Sequence, residues 1–298
     1  MVRKFSLINR NNATWDFTDP AEKVFARNPA GLGLVKSAEL LRLGNKQKVV
    51  DEQYEFVNKT FDVLFYGDTR EKMYSDYNDF IDFITVGDIS LLYEIPSQNV
   101  AHRISVLVSE ITKTEVKENG IMSCGLTLTP LSFWEDNIPN EIIAGDSSDV
   151  DGKNYPLERK TNEGYFYAEM VDLRNIEINI VGNMGVPFKV TVNGFSTDPY
   201  FAIINEQTGD PVQRCMFLGS YNYVYVNSDE AEEEIQLKDQ YGQDVEYPYN
   251  YQVFDSVYDY EKVTFLTLKK GHNLLRFNLG TLFDGTVTIE WRNRYVSV

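Results

Sequence analysis

Between residues 59 and 96 the hydrophobic pattern changes period twice. FDVLFYG (61–67) and ISLLYEIP (89–96) read as strands. Between them Met73, Tyr77, Phe80, Ile81 and Ile84 recur at i, i+4, i+7, i+8 and i+11, the spacing that gathers side chains on one face of a 3.6-residue helix. Asp68 or Thr69 can cap the first turn with a side-chain oxygen, and Gly87 follows the last apolar position, where a helix ends with φ > 0. Glu71, Lys72, Ser75, Asp76, Asn78, Asp79 and Asp82 fall on the opposite face, which is therefore expected to be wet. No other segment has an equal helical period, so the expected architecture is mainly β with one α-helix.

Elsewhere the period is two. Phe5, Leu7, Trp15 and Phe17 suggest an opening strand and a turn, and NPAGLGL (28–34) reads as a loop by its Pro and Gly content. SAELLRLGNKQKVVDEQYEFVNK (37–59) has the turn signal Gly44-Asn45 between two moderately apolar, charge-rich arms. It predicts a β-hairpin that could reach a neighbouring subunit, and a solvated surface hairpin fits the same residues. Ile104, Val106 and Val108 alternate on one side of the turn Glu118-Asn119-Gly120, and Met122, Cys124, Leu126 and Leu128 on the other, an antiparallel hairpin with one face to a core. Pro130 and Pro139 then break the run, which places a domain boundary at 130/131. Residues 135–170 lose the rhythm and are dense in Asp, Asn, Gly and Ser; an excursion that grips a partner and a disordered loop both fit them. From 175 strands return in quick succession and end on VTFLTLKKGHN, LLRFNLG and GTVTIEWRNRYVSV, where Leu275, Phe277 and Leu279, then Val287, Ile289 and Trp291, point to one side. Short strands with Gly-containing turns argue a β-sandwich. The expected domains are thus 1–130 and 131–298, the second with an extension at about 135–170.

Composition narrows the function. The formal charge is −17, with 28 Lys and Arg against 45 Asp and Glu, which disfavours phosphate-neutralising surfaces and anionic membranes. No stretch approaches a bilayer span, and the N-terminal cations precede no apolar run of the secretory kind. Cys124 and Cys215 lie far apart in apolar settings and are expected as buried thiols.

The candidates for chemistry are weak. GLGLVKS lacks phosphate-loop spacing, and two histidines, His102 and His272, cannot build a multi-imidazole zinc site. DSSDVDG (146–152) offers oxygen ligands, but Glu158 falls one residue late for a twelve-residue calcium loop. GHNLLRFN resembles the HxNxR strand of galectins, yet His272 and Arg276 share a face while Asn273 lies on the other. No catalytic residue, cofactor or metal site is expected.

The order of parts resembles the distal tail proteins of long-tailed phages, most closely the version in lactococcal phage baseplates. The resemblance covers nearly the full length. It is carried by the start of the sandwich, EINIVGNMGVPFKVTV (177–192), by a Leu-x-x-Gly-x-Asn turn at Leu268, Gly271 and Asn273, and by the closing TVTIEWRNRY. It implies an N-terminal β-sandwich-like domain that forms a homo-hexameric ring joining the tail tube protein to the tail-tip protein. The arm hairpin would belt the next subunit, here through Leu43, Lys46, Lys48 and Val50. It also implies a galectin-like C-terminal domain whose inserted arm holds receptor-binding proteins, here through Tyr155, Arg159, Lys160, Tyr165, Phe166 and Tyr167. DNA would pass through an acidic ring without specific binding, no membrane would be contacted, and the protein would sit in the virion after assembly in the host cytoplasm. The competing expectation is a carbohydrate-binding adhesion module, with Trp134, Trp291 and several Tyr as candidate sugar-stacking rings.

Overall fold

The computed structural model describes residues 3–18, 24–113, 121–144, 175–229, 231–245, 251–254, 266–280 and 283–298. Among these residues it is mainly β with one α-helix, and the chain divides into two compact units, residues 1–138 with 294–298, and residues 139–293. Residues 131–138 and 294–298, expected in the second domain, group with the first unit.

The first unit is built on one antiparallel sheet. Its strands run in the order Thr14–Asp16, Lys4–Ile8, Ile89–Ile95, Val100–Lys113, Ile121–Pro130, Lys59–Tyr66, Val24–Ala30. The sheet curls until its ends meet at Phe17. That residue's N–H donates to Phe5 O and its carbonyl accepts from Ala26 N, both at 2.9 Å. The Phe5 and Phe61 rings, four strands apart in that order, lie 5.3 Å apart across the curl. Joining the ends satisfies backbone groups that an open edge would leave unpaired. The strand Val24–Ala30 runs into the segment expected as a loop, past a register shift between Arg27 and Ala30 where Asn28 sits at φ +52°.

The helix Arg70–Thr85 covers this core. Thr69 is its N-cap, with extended backbone and a side chain that accepts from Lys72 N at 3.2 Å, and Gly87 follows the end at φ +91°. Met73 and Phe80 are buried, with Tyr77, Phe83 and Ile84 partly so. One expectation fails: Asp76, placed on the wet face, is buried. Lys72 four residues earlier donates to its carboxylate, so the charge is compensated on the helix itself and the side chain can lie against the protein.

The unit is completed by the other end of the chain. Arg294–Tyr295 pairs with Trp134–Asp136, which pairs in turn with Val100–Lys113 through Glu135↔Arg103 and Asp136↔His102. Arg294 donates to Glu135 Oε1 at 3.2 Å, and the Tyr295 hydroxyl donates to Asp136 Oδ1 at 3.1 Å. Burial, with the Asp136 charge second, pushes the Tyr295 phenol up to about 12.

The second unit is a two-sheet sandwich. One sheet runs Asn140–Ala144, Asp284–Trp291, Val186–Thr197, Ser220–Asn227, Glu234–Lys238, with Thr267–Leu268 paired to Val186–Thr197. The other runs Asn175–Ile180, Gly271–Asn278, Tyr200–Ile204, Pro211–Phe217, Tyr251–Phe254. Val190, Val192, Val287 and Ile289 from the first meet Ile178, Phe201, Phe217, Leu275 and Phe277 from the second in one core, as period-two alternation requires. The rhythm expected to stop at 135 persists to Ala144. Ile142 packs on the core while Glu141 and Ile143 face out, a strand too short to register in a Pro-flanked stretch.

Candidate functional site

The feature that stands apart is the hairpin of Lys36–Leu43 with Lys46–Tyr54, a two-stranded sheet of its own. Gly44 takes φ +63° at the first central position of the two-residue turn, which suits a hairpin of matching twist. The ladder slips once, Glu39 facing Asp51 and Leu40 facing Val49, so that Val50 is the extra residue of a bulge. All seventeen strand residues are exposed, and an isolated two-stranded hairpin is marginal in water. Glu39 and Asp51 oppose each other as like charges, while Lys36 donates to Glu52 at 2.7 Å and lies over the Tyr54 ring. These exposed pairs contribute little, so the hairpin's order depends on its foot.

The foot is built tightly. Lys59 is buried and donates to Gly31 O; burial lowers its amine pKa. Asn28 donates to Asp62 at 2.7 Å, and the Phe56 and Phe133 rings lie 4.7 Å apart. Gly31 holds φ +77°, and a Cβ there would run into the Asn58 carbonyl. The change Gly31→Ala is expected to cost about 1–3 kcal/mol from the backbone conformation alone. Limited proteolysis of that variant should cut within residues 28–59 faster than in the unmodified protein, while the rest of the chain keeps its protection.

Of the residues expected to make ring contacts, Leu43 and Lys46 are directly paired, Lys48 faces Leu41, and Val50 is the bulge residue. The structure adds Leu40, Leu41 and Val49 on the strands and Leu34, Val35 and Phe56 at the foot, all exposed. The missed signal is that LLRL and VV put apolar groups on both faces of a hairpin, where a solvated one would alternate. Tyr155, Arg159, Lys160, Tyr165, Phe166 and Tyr167 lie outside the described residues, as does DSSDVDG.

The lectin-like strand falls as its parity requires. His272 and Arg276 face outward and Asn273 inward. His272 contacts Glu206 through Nδ1 and Glu177 through Nε2, the latter at 3.4 Å. Hydrogen bonding to Glu206 first, then to Glu177, raises its pKa above 6.5. A raised histidine value stabilises below the unfolded value and loses that contribution as pH climbs through the folded one. Glu206→Gln is expected to bring the His272 titration back down, as read from its ring NMR signals; an unmoved titration would mean that the contact is absent in solution.

Neither cysteine is poised for chemistry. Cys124 is buried in the first core, where burial pushes its thiol up to about 11. Burial likewise pushes the Cys215 thiol up. Cys215 faces the sandwich interior while His272 faces outward, so the two side chains point to opposite faces. His102 lies against Asp136 and Tyr295. Among the described residues no group of three or more His, Cys, Asp or Glu could hold a metal ion. Trp134, offered above as a sugar-stacking ring, is 1% exposed, and Trp291 packs on the second core.

The chain thus carries a curled β domain with an exposed apolar arm, followed in sequence by a β-sandwich. Residues 4–131 match the model of the distal tail protein N-terminal domain. That match assigns the N-terminal domain of the chain to the distal tail protein type. Over its length it is similar to a chain of the phage P2 baseplate in its activated conformation with Ca, with a TM-score of 0.63, 17% identity and 100% of both chains covered. It is also similar to the Dit protein of phage SPP1, a hub of the adsorption apparatus of a phage infecting Gram-positive bacteria, with a TM-score of 0.61, 10% identity, and 96% of this chain and 98% of that one covered. At these identities the likeness is one of fold. No curated protein matches the chain in sequence.

Proposed function

We propose that this chain is the structural hub of a phage tail tip or baseplate. Six copies form a ring through their N-terminal units, joining the tail tube protein to the tail-tip protein, and the arm hairpin of each copy grips the next. The observation that carries this reading is the arm: seventeen exposed strand residues with apolar groups on both faces, a surface that asks for a partner. Six weak grips acting together would suffice for a stable ring. The segment around Tyr155 to Tyr167 is proposed to hold receptor-binding proteins, as in baseplates of the lactococcal type. The protein would then reside in the virion after assembly in the host cytoplasm.

The charge distribution refines the account of DNA passage. The first unit carries 16 Lys and Arg against 20 Asp and Glu, and the second 12 against 25, so most of the −17 belongs to the second. A channel lined by the first units would be mildly acidic and would let DNA pass for want of cationic anchoring rather than through strong repulsion. The purified ring is expected to retain no duplex DNA at low salt; retention would count against this role.

Direct adhesion to wall sugars is the second reading. It loses Trp134 and Trp291 but keeps Tyr223 and Tyr225, which share the outward face of the six-stranded sheet with Thr191. Replacing residues 36–54 with a short turn separates the two. Loss of annular particles in negative stain, with both units still folded, is the outcome the hub requires; a chain that binds glycans equally well with or without the arm and forms no rings would favour adhesion.

A further inference from the structure

We propose that the surface receiving the arm is the outward face of strands Val100–Lys113 and Ile121–Pro130 on the next copy, centred on Leu107, Glu110 and Leu131. This rests on the arm-docking reading above and adds the site to which the arm goes.

One face of the arm has a definite composition. Leu41↔Lys48 and Leu43↔Lys46 are direct cross-strand pairs, two positions apart, so the four side chains stand on one side of the hairpin. The face is two leucines along one strand and two lysines along the other, with no carboxylate between residues 40 and 50. Its counterpart must therefore offer apolar area beside negative charge.

The curled sheet offers this once among its described outward positions. Leu107 pairs with Thr129, and after the bulge at Ser109 Glu110 pairs with Thr127, which pairs on its other side with Thr60. Leu107 is 56% exposed. Leu131, 62% exposed, is fixed beside this strand by its N–H donating to Ser105 O at 2.8 Å. Among the described residues Glu110 makes no ion pair, whereas the nearby Asp62 is taken by Arg27 and Asn28. The cross-strand neighbours Thr127 and Thr129 add no competing charge. The acidic helix face, with Glu71, Asp79 and Asp82, supplies charge but no comparable exposed leucines.

Donor and receiver are different surfaces of one chain, so the contact is head to tail, the kind that closes into a ring when the rotation permits. Leu41 and Leu43 would lie against Leu107 and Leu131, with Lys46 and Lys48 reaching Glu110.

The test is a charge-exchange cycle in the full chain, followed by light scattering coupled to size exclusion over a range of concentrations. Glu110→Lys and Lys48→Glu are each expected to raise the concentration of half-assembly by about tenfold, and the double variant to recover most of the loss. Leu107→Glu should disperse the ring. These positions are exposed, so circular dichroism should show every variant folded. Rings that withstand Glu110→Lys and Leu107→Glu but not Leu41→Glu would overturn the receiving surface and leave arm docking standing; dispersal by Asp79→Lys alone would overturn it in favour of the helix. An unmodified chain that never assembles would remove the reading on which the inference rests.

Discussion

Phe80→Ala is expected to cost the first unit about 3–5 kcal/mol, the range for deleting a buried aromatic ring. Phe80 is 1% exposed, and its ring lies 5.2 Å from Trp15, 5.9 Å from Phe17 and 5.9 Å from Phe65. Phe17 is also the residue whose backbone joins the two ends of the curled sheet, so the helix braces the closure as well as filling the core. A cavity at this point loses contacts to three rings at once, and domain stabilities are on the order of 5–15 kcal/mol. Trp15 and Trp134 belong to the first unit and Trp291 to the second, so red-shifted emission from the first two in urea reports the transition that should move. A shift worth less than about 1 kcal/mol would mean that the helix does not cover this core in solution.

The second large effect lies in the other unit. Asn273 is 5% exposed; its carboxamide oxygen accepts from Lys269 N at 2.9 Å, and its nitrogen donates to Lys269 O at 2.7 Å and Gly271 O at 2.9 Å. Leu268 is fully buried before this turn, and Gly271 takes φ +88° within it. The Leu-x-x-Gly-x-Asn sequence is thus a plug, a left-handed hinge and a clamp. Asn273→Ala removes all three bonds and is expected to destabilise the second unit by about 2–3 kcal/mol. Asn273→Asp should fare little better, because a carboxylate cannot donate to two carbonyls. The unfolding transition seen by Trp291 should shift while that of the first unit stays. Equal loss in both transitions would contradict the division into independent cores.

The same residue shows why the galectin-like strand carries no galectin-like site. His272 and Arg276 are on the outer face, but the asparagine between them is spent inside on the turn. Strand parity made this legible in the sequence, since alternation is a local property of eight consecutive residues. The helix was legible for the same reason, and Thr69 was among its two candidate caps.

What sequence could not reveal depended on distant partners. Arg294–Tyr295 looks like the tail of the last strand, and only its pairing with Trp134–Asp136, some 160 residues earlier, assigns it to the first unit. Phe17 reads as an ordinary apolar residue, and its role in joining the sheet's ends is fixed by Phe5 and Ala26 together. The hairpin was readable from Gly44-Asn45, but the receiving surface was not. Leu107 and Glu110 flank a bulge at Ser109 that reverses the parity of everything after it, so Glu110, and not Ser109, stands beside Thr127. A strict period-two count through that strand puts the wrong residue on the outside.

Assembly through an exposed arm is tested most directly by the mass of the purified chain in solution. Light scattering across a size-exclusion peak should give about six times the 34.3 kDa of one chain, or twice that if two rings stack, with annular particles in negative stain of the same fraction. A monomer that persists at high concentration with the arm intact would contradict the account.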